Sequence, residues 1–515
     1  MTNSKKDSIL NIELKNFGPI THGHIDLKPL TIFIGPNNAG KSYTATLIHS
    51  IVKSTNLRRS YNYFSYEADS VYYREMYPRF LNRAYDEKFL NFLVEKIEIE
   101  KNSEFKIPDS FVVDLINTVS KSIYENILHK QISHAFACNI RNLIKSNKKF
   151  FELKITNKLL GQLSIKTKKE KLEISKFFNG NLEIWIRLNE KRSEIDIKKS
   201  GDKFIIEIGR RLLNRLEKST NEKEKNNIFY SELYDYIMIP IRTALSADFV
   251  SYYLPAARSG MLQSHRALAA AVINNAPFIG LKKMEIPELS GVVADFLSSI
   301  ISMEPREQRP YSSKQNFLID LSKKFEQELI RGSITLKKIN DFAGTEIKYK
   351  FGKEEIPLQR ASSTVSELAP LFLYLKYLVI KDSLLIIEEP EAHLHPYNIS
   401  ILAKYLVKLI RNGINILITT HSDLLLDQLN NFIMLSKIEP KNLEKVYNYE
   451  KDDFLSASEI SAYVFEYDKI SEGFKILPIN ISESEGISVD AFNIIHENLY
   501  KETLRIKRDL LRIEQ

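Results

Sequence analysis

The stretch Thr31-Ile32-Phe33-Ile34-Gly35-Pro36-Asn37-Asn38-Ala39-Gly40-Lys41-Ser42 reads as a buried strand, a tight loop and the opening of a helix. Gly35, Gly40, Lys41 and Ser42 fall on the pattern G-x-x-x-x-G-K-[ST], whose spacing suits a bound polyphosphate. The glycines let the backbone curl so that several N–H groups converge on one anion, and the helix N-terminus adds its partial positive charge. Lys41 is expected to reach the β- and γ-phosphates of ATP, and the Ser42 hydroxyl to ligate Mg²⁺. The nucleotide contacts expected here are therefore Gly35, Pro36, Asn37, Asn38, Ala39, Gly40, Lys41, Ser42 and Tyr43. The plain alternative is a strand-to-helix turn that binds nothing.

A second stretch, Leu384-Leu385-Ile386-Ile387-Glu388-Glu389-Pro390-Glu391-Ala392-His393-Leu394-His395-Pro396, puts two acids after four aliphatic residues. It reads as a buried parallel strand with carboxylates at its C-terminal tip. In phosphate-loop ATPases the first acid, here Glu388, holds the Mg²⁺ shell. The second, Glu389, is placed to polarise the attacking water. A third strand, 414–419, ends on Thr420-His421-Ser422. There a neutral imidazole of His421 suits a bond to the γ-phosphate or the water. Between these stretches, Ser362, Ser363 and Thr364 stand at the edge of a helix expected to begin near Val365, where free N–H groups suit an incoming phosphate. Any serine-rich helix cap would look the same.

Composition sets the frame. The chain has 515 residues, is 43% apolar and 27% charged, and carries net charge +8 with a single cysteine, Cys138. Such a length buries a large core in two or three lobes. One cysteine excludes an internal disulfide and a cysteine metal cluster, and suits a reducing compartment. No leader is apparent at the N-terminus and no uninterrupted apolar run reaches 18 residues, so a cytoplasmic protein with no membrane span is expected. The mild basic excess is compatible with a nucleic-acid partner.

Read in order, residues 9–14 and 24–27 look like short strands feeding the phosphate-loop strand, with a turn at Asn16-Phe17-Gly18-Pro19. Residues 57–147 look helical and rich in aromatics, which suit core packing or a base-stacking surface. Arg141, Lys145, Lys148 and Lys149 look like a solvated helix face or a row facing phosphates. Residues 151–199 alternate with period two and suggest a β-meander, followed by helix over 204–218. Further helices are expected over 229–246, 263–272, 286–301 and 317–330, a strand over 249–254, and hairpin strands over 333–337 and 346–350. Pro255-Ala256-Ala257-Arg258 follows the 249–254 strand; Arg258 suits a phosphate or partner contact, or a structural ion pair. These readings make an α/β fold: an ATPase head in two halves, 1–55 and 246–432, a large inserted helical and β lobe, 56–245, and a C-terminal strand-helix extension, 433–515.

At Asn16-Phe17-Gly18-Pro19-Ile20, the phosphate loop, Tyr253-Leu254-Pro255-Ala256-Ala257-Arg258, the Glu388–Pro396 stretch and Thr419-Thr420-His421-Ser422, the sequence resembles ABC-type head ATPases. It looks closest to the standalone OLD-like branch (overcoming lysogenisation defect) found among bacterial and archaeal anti-phage defence ATPases. The resemblance covers the head and says little about the inserted lobe. It implies two heads sandwiching two Mg-ATP molecules, each held by the phosphate loop of one chain and a signature segment of the other. Ser362, Ser363 and Thr364 would be that trans-acting segment, with Leu394-His395-Pro396 at the dimer seam. The chain departs from the transporter pattern: it lacks Leu-Ser-Gly-Gly-Gln, and Glu388 stands where transporters carry aspartate. Many OLD-like proteins continue into a Toprim nuclease built on an Asp-x-Asp pair. No Asp-x-Asp follows Asn431, so a separate effector chain, a nuclease or toxin, is expected.

The leading expectation is thus an ATP-hydrolysing switch working as a homodimer or higher homo-oligomer, which senses or handles nucleic acid in defence. A slow-turnover ATP-dependent scaffold is the alternative, and Glu389 favours hydrolysis. The altered signature and the inserted lobe speak against a transporter subunit.

Overall fold

The computed structural model describes residues 10–55, 250–264, 289–303, 313–340, 344–439 and 452–488 without a break, with shorter runs within 104–214, at 449–450 and within 501–506. Apolar and polar residues alternate in β1 (Leu10–Phe17) and β2 (Ile20–Leu27), as half-buried strands require. β1 continues through Asn16 and Phe17, so the turn is confined to Gly18 and Pro19. β3 (Leu30–Ile34) is buried at every position and runs through the loop into α1 (Lys41–Thr55). Then come β4 (Glu104–Lys106), α2 (His129–Ala135), β5 (Phe150–Asn157), β6 (Gly161–Lys168), β7 (Leu172–Phe177), β8 (Glu183–Asn189), β9 (Asp196–Ser200) and β10 (Lys203–Gly209). β11 (Ser251–Leu254) precedes α3 (Gly291–Ile301), α4 (Ser313–Ile330), β12 (Ser333–Asn340), β13 (Gly344–Phe351) and β14 (Glu354–Pro357). The chain goes on through α5 (Ser363–Tyr377), β15 (Leu384–Glu388), α6 (Pro396–Arg411), β16 (Asn415–Thr420), α7 (Asp423–Met434), β17 (Ile460–Asp468) and β18 (Gly473–Ile479).

Two compact units emerge. One comprises Pro19–Ala45 and Tyr252–Gln515, the other Leu10–Gly18 and Thr46–Ser251. In the first, strands lie in the order β11-β15-β16-β3-β17-β18-β2. β15, β16, β3 and β17 are parallel neighbours, and β18 runs antiparallel to β17. Near-continuous aliphatic runs at the centre fit strands covered on both faces. Residues 433–515, read as an extension, supply β17, which pairs residue for residue with the phosphate-loop strand (Ile460 opposite Leu30, Val464 opposite Ile34). The core joins these strands to α3 to α7. Phe325 of α4 stacks on Tyr405 of α6 with ring centroids 4.2 Å apart and meets Phe372 of α5 edge-on at 5.2 Å. β12 and β13 form the expected hairpin, extended by β14.

In the second unit β1 pairs with β5, and β5-β6-β7 form an antiparallel meander. Phe17 packs edge-on against Phe136 and Phe151 at 5.7 and 5.6 Å. The meander read over 151–199 stops at β7, because β8 joins a separate sheet of order β4-β8-β10-β9. Alternation announces a strand but does not choose its partner. The helix expected over 204–218 is corrected at its start: 203–209 is β10, parallel to β8. Phe204-Ile205-Ile206-Glu207-Ile208 is a β-branched run, and pairing decides it where periodicity is ambiguous. The basic row breaks up too: Arg141 and Lys148 are exposed and Lys145 is buried. The helix read over 229–246, most of that over 263–272 and most of the helical region read over 57–147 lie outside the described residues.

Candidate functional site

The site is built where parallel strands end together. Glu388 pairs with Thr419, and Thr420 with Ile34, so the C-terminal tips of β15, β16 and β3 lie in adjacent register. Glu389, His421 and Gly35 are the next residues at one sheet edge, the usual ligand edge of an open α/β sheet.

The loop after β3 depends on residues that tolerate unusual backbone. Gly35 has φ of 147°, and a Cβ there would lie 2.8 Å from the Phe465 carbonyl oxygen of β17. Gly40 has φ of 96°, with Pro19 and Ile20 side chains 2.8 Å from where a Cβ would sit. Asn38 takes φ of 60°, a conformation asparagine accepts readily. Pro36, Asn37 and Asn38 are exposed and Ala39 is buried. Thr44 caps the turn by donating its hydroxyl to the Gly40 carbonyl at 2.9 Å.

Lys41 is 6% exposed and donates its Nζ to the Gly35 and Pro36 carbonyls, both at 2.8 Å. Burial lowers its pKa to about 8, against the attraction of Glu389, Glu388 and Glu391. Ser42 and Tyr43 lie exposed in the first turn of α1.

The two acids are held differently. The Glu388 carboxylate is buried and accepts from the Tyr253 hydroxyl at 2.8 Å and the Ala256 N–H at 2.9 Å. The Glu389 side chain is 42% exposed, and its Oε1 lies 3.8 Å from His421 Nε2. Its backbone has φ of 43°, a left-handed conformation costing a non-glycine residue about 1–2 kcal/mol. The Glu389 N–H donates to the Thr419 carbonyl at 2.9 Å. Burial, then Lys41, lower the His421 pKa, while Glu389 and Glu391 oppose the shift, so the imidazole is neutral at pH 7.

Ser362 is the N-cap of α5, accepting from the Val365 N–H at 3.4 Å. Ser362 and Ser363 are exposed, and Thr364 donates its hydroxyl to the His393 carbonyl at 2.8 Å. The structure thus gathers Lys41, Glu388, Glu389 and His421 at one edge, and ties Thr364 to the His393 turn.

Three residues that sequence reasoning passed over complete the arrangement. Glu391 Oε1 accepts from the Thr420 hydroxyl at 2.6 Å and the His421 N–H at 3.0 Å, fixing the turn that presents the imidazole. Its Oε2 is buried without a hydrogen-bond partner among the described residues. The signal was present in Glu388-Glu389-Pro390-Glu391, whose third acid was assigned nothing. Tyr253 lies within the quoted 253–258 stretch but receives no role there, and Glu367 reads as an ordinary helix residue. Arg258 resolves to its structural alternative: it is 2% exposed and paired with the fully buried Glu367 at 3.0 Å.

The donor set fits a metal-bound nucleotide. Gly35 and Gly40 keep the loop clear of Cβ atoms, an ammonium stands at its centre, and an orphaned carboxylate oxygen lies beside the acidic tip.

Residues 8–426 match the family described as AAA ATPase domain, a span that includes the phosphate loop, the acidic tip and His421. The chain belongs to this AAA ATPase domain family. Nothing among curated proteins matches it. Among solved structures it is similar to an Smc head bound to the C-winged helix domain of ScpA, at 12% identity over 92% of this chain and 98% of that one, with a TM-score of 0.39. It is also similar to an Smc head domain with an extended coiled coil bound to the C-terminal domain of ScpA derived from Pyrococcus furiosus (12% identity, 95% and 98% covered, TM-score 0.35). A third is the SMC head domain from Thermotoga maritima (11% identity, 92% and 98% covered, TM-score 0.32). At such similarity the residues must carry the reading of this AAA ATPase domain. Among the described residues no helix is long and apolar enough to cross a membrane.

Proposed function

We propose that this AAA ATPase domain protein is an ABC-type head that hydrolyses ATP and works as a dimeric, nucleotide-dependent switch. The observation that carries this is the aligned row of strand tips presenting Lys41, Glu388, Glu389 and His421 at one sheet edge. The loop N–H groups and Lys41 bind and orient the phosphates. Ser42 and Glu388 would hold Mg²⁺, which when bound supplies charge neutralisation on the phosphates. Glu388 keeps lone pairs free for this task beyond those bonded to Tyr253 and Ala256. Glu389, half-exposed beside His421, accepts a hydrogen bond from the attacking water and orients it. Neutral His421 donates to a phosphate oxygen or the water, held in place by Glu391.

The second copy enters through Ser362, Ser363 and Thr364. What supports this is the exposure of Ser362 and Ser363 at the N-terminus of α5, and the bond from Thr364 to the turn of the exposed His393, near the exposed His395 and Tyr397. Nucleic-acid handling, a separate effector and a role in anti-phage defence rest on the sequence resemblance to OLD-like ATPases and on the basic charge.

Steady-state phosphate release tests the reading. Wild type should turn over Mg-ATP, Glu389→Gln should bind it with only a small residual turnover and self-associate, and Lys41→Ala should lose binding. Equal inactivity of wild type and Glu389→Gln, with or without DNA, would point to a slow scaffold instead.

A further inference from the structure

Among the described residues Arg258 is one of the largest fully buried side chains. It donates to the Glu388 carbonyl at 2.7 Å, the Glu389 carbonyl at 3.3 Å, the Pro255 carbonyl at 3.1 Å and the Glu367 carbonyl at 3.2 Å. The Glu367 carboxylate receives the guanidinium at 3.0 Å, the Arg258 N–H at 3.1 Å and the Ser259 N–H at 3.0 Å. Glu367 lies about one helical turn past Thr364 on α5. One buried ion pair therefore ties three things together: the loop after β11, the first turns of α5, and the peptide that joins the two acids.

Each part of that knot is one that would not hold by itself. Glu389 sits in a left-handed conformation that persists only where surrounding bonds over-determine it. Ala257, at φ of 54°, is in the same position on the opposing loop. Pro370 removes from α5 the N–H that would bond the Ser366 carbonyl, so the ladder is broken beside Glu367. The same loop also grips the Glu388 carboxylate through Tyr253 and Ala256.

We infer that Arg258 and Glu367 form a positioning couple that aims Glu389 and links its aim to the placement of the α5 N-terminus. The inference rests on the proposed roles of Glu389 and Ser362 to Thr364. Arg258 is buried, and its side-chain hydrogen bonds go to backbone carbonyls and the Glu367 carboxylate. It acts through the backbone of the acids, so a second copy docking on α5 bears on the water-orienting carboxylate through one ion pair. Lysine keeps the charge but lacks the planar fork that serves several carbonyls at once.

The test uses the full chain with Arg258→Lys, Arg258→Gln and Glu367→Gln, each alone and combined with Glu389→Gln. Folded fraction is followed by thermal melting, and turnover is counted per molecule that binds Mg-ATP, so that a partly unfolded variant is still informative. The couple predicts kcat falling about tenfold to hundredfold, the size of a misaimed catalytic group, while Mg-ATP affinity stays within about threefold. Arg258→Lys should fall between wild type and Arg258→Gln. In the Glu389→Gln background the same changes should have no further effect on residual turnover, because the group they aim is gone. A merely structural role predicts the same loss in both backgrounds, or a loss confined to folded fraction, and either result overturns the inference. An inactive wild type would instead strike at the ATPase reading itself.

Discussion

Raising the pH should weaken nucleotide binding and strengthen the ligand-free fold through a single ammonium. Lys41 is buried against two carbonyls, and its pKa is lowered to about 8 from 10.5. Its charged fraction in the free protein then drops from about nine-tenths at pH 7 to about one-tenth at pH 9. Phosphate binding needs the ammonium, so affinity for Mg-ATP should fall about tenfold across that interval. Stability moves the other way. Between pH 8 and 10.5 the unfolded chain keeps a proton that the folded chain has released, so unfolding becomes harder as pH rises. The full shift corresponds to about 3 kcal/mol of stability absent below pH 8 and recovered above 10.5. The assay is calorimetric titration of Mg-ATP into the hydrolysis-blocked Glu389→Gln variant from pH 6.5 to 9.5, beside denaturant unfolding of the ligand-free protein. Lys41→Met should flatten the stability arm attributable to this site. The pKa of His421 is lowered below its ordinary value, which confines its own contribution to the acid end of this interval, away from the Lys41 step. An affinity unchanged between pH 7 and 9 would refute the argument, because a buried ammonium near pKa 8 cannot bind phosphate equally well at both.

Three further outcomes follow from the geometry. Gly35→Ala should lower stability by about 2 kcal/mol or more, since its Cβ meets the Phe465 carbonyl at φ of 147°; a melting temperature equal to wild type would contradict the loop geometry. Phe465→Ala should cost about 3–5 kcal/mol in denaturant unfolding, because the ring is fully buried and packs on Phe33 at 5.2 Å. Glu391→Ala should cost about 1–3 kcal/mol by leaving the Thr420 hydroxyl and the His421 N–H without an acceptor, and should lower kcat more than it raises KM.

Much of the candidate site can be read from short stretches of sequence. Gly35, Gly40, Lys41 and the Glu388-Glu389 pair sit in short runs whose physics is local: a turn that only glycine tolerates, and a strand whose aliphatic residues give way to acids. What stayed hidden depends on partners far away in the chain. Arg258 in isolation is equally a phosphate ligand or an ion pair, and Glu367, buried 109 positions later, decides between them. β17 is an apolar run like that of any buried strand, and nothing in its residues names β3 as its neighbour. The 204–209 run failed because an apolar stretch of that length suits helix or strand until a partner settles it.

The strand carrying the phosphate loop has a consequence for how the molecule comes to exist. β3 is flanked by β16 and β17, whose residues lie some hundreds of positions later in the chain. A ribosome that has released only the first half of the chain has therefore made the loop's sequence and neither of its walls. Closing so long a separation is entropically costly and slow. The growing chain is thus unable to hold nucleotide in the finished cradle until β17 has emerged. Nucleotide binding becomes a late event in synthesis, marking a head that has been completed.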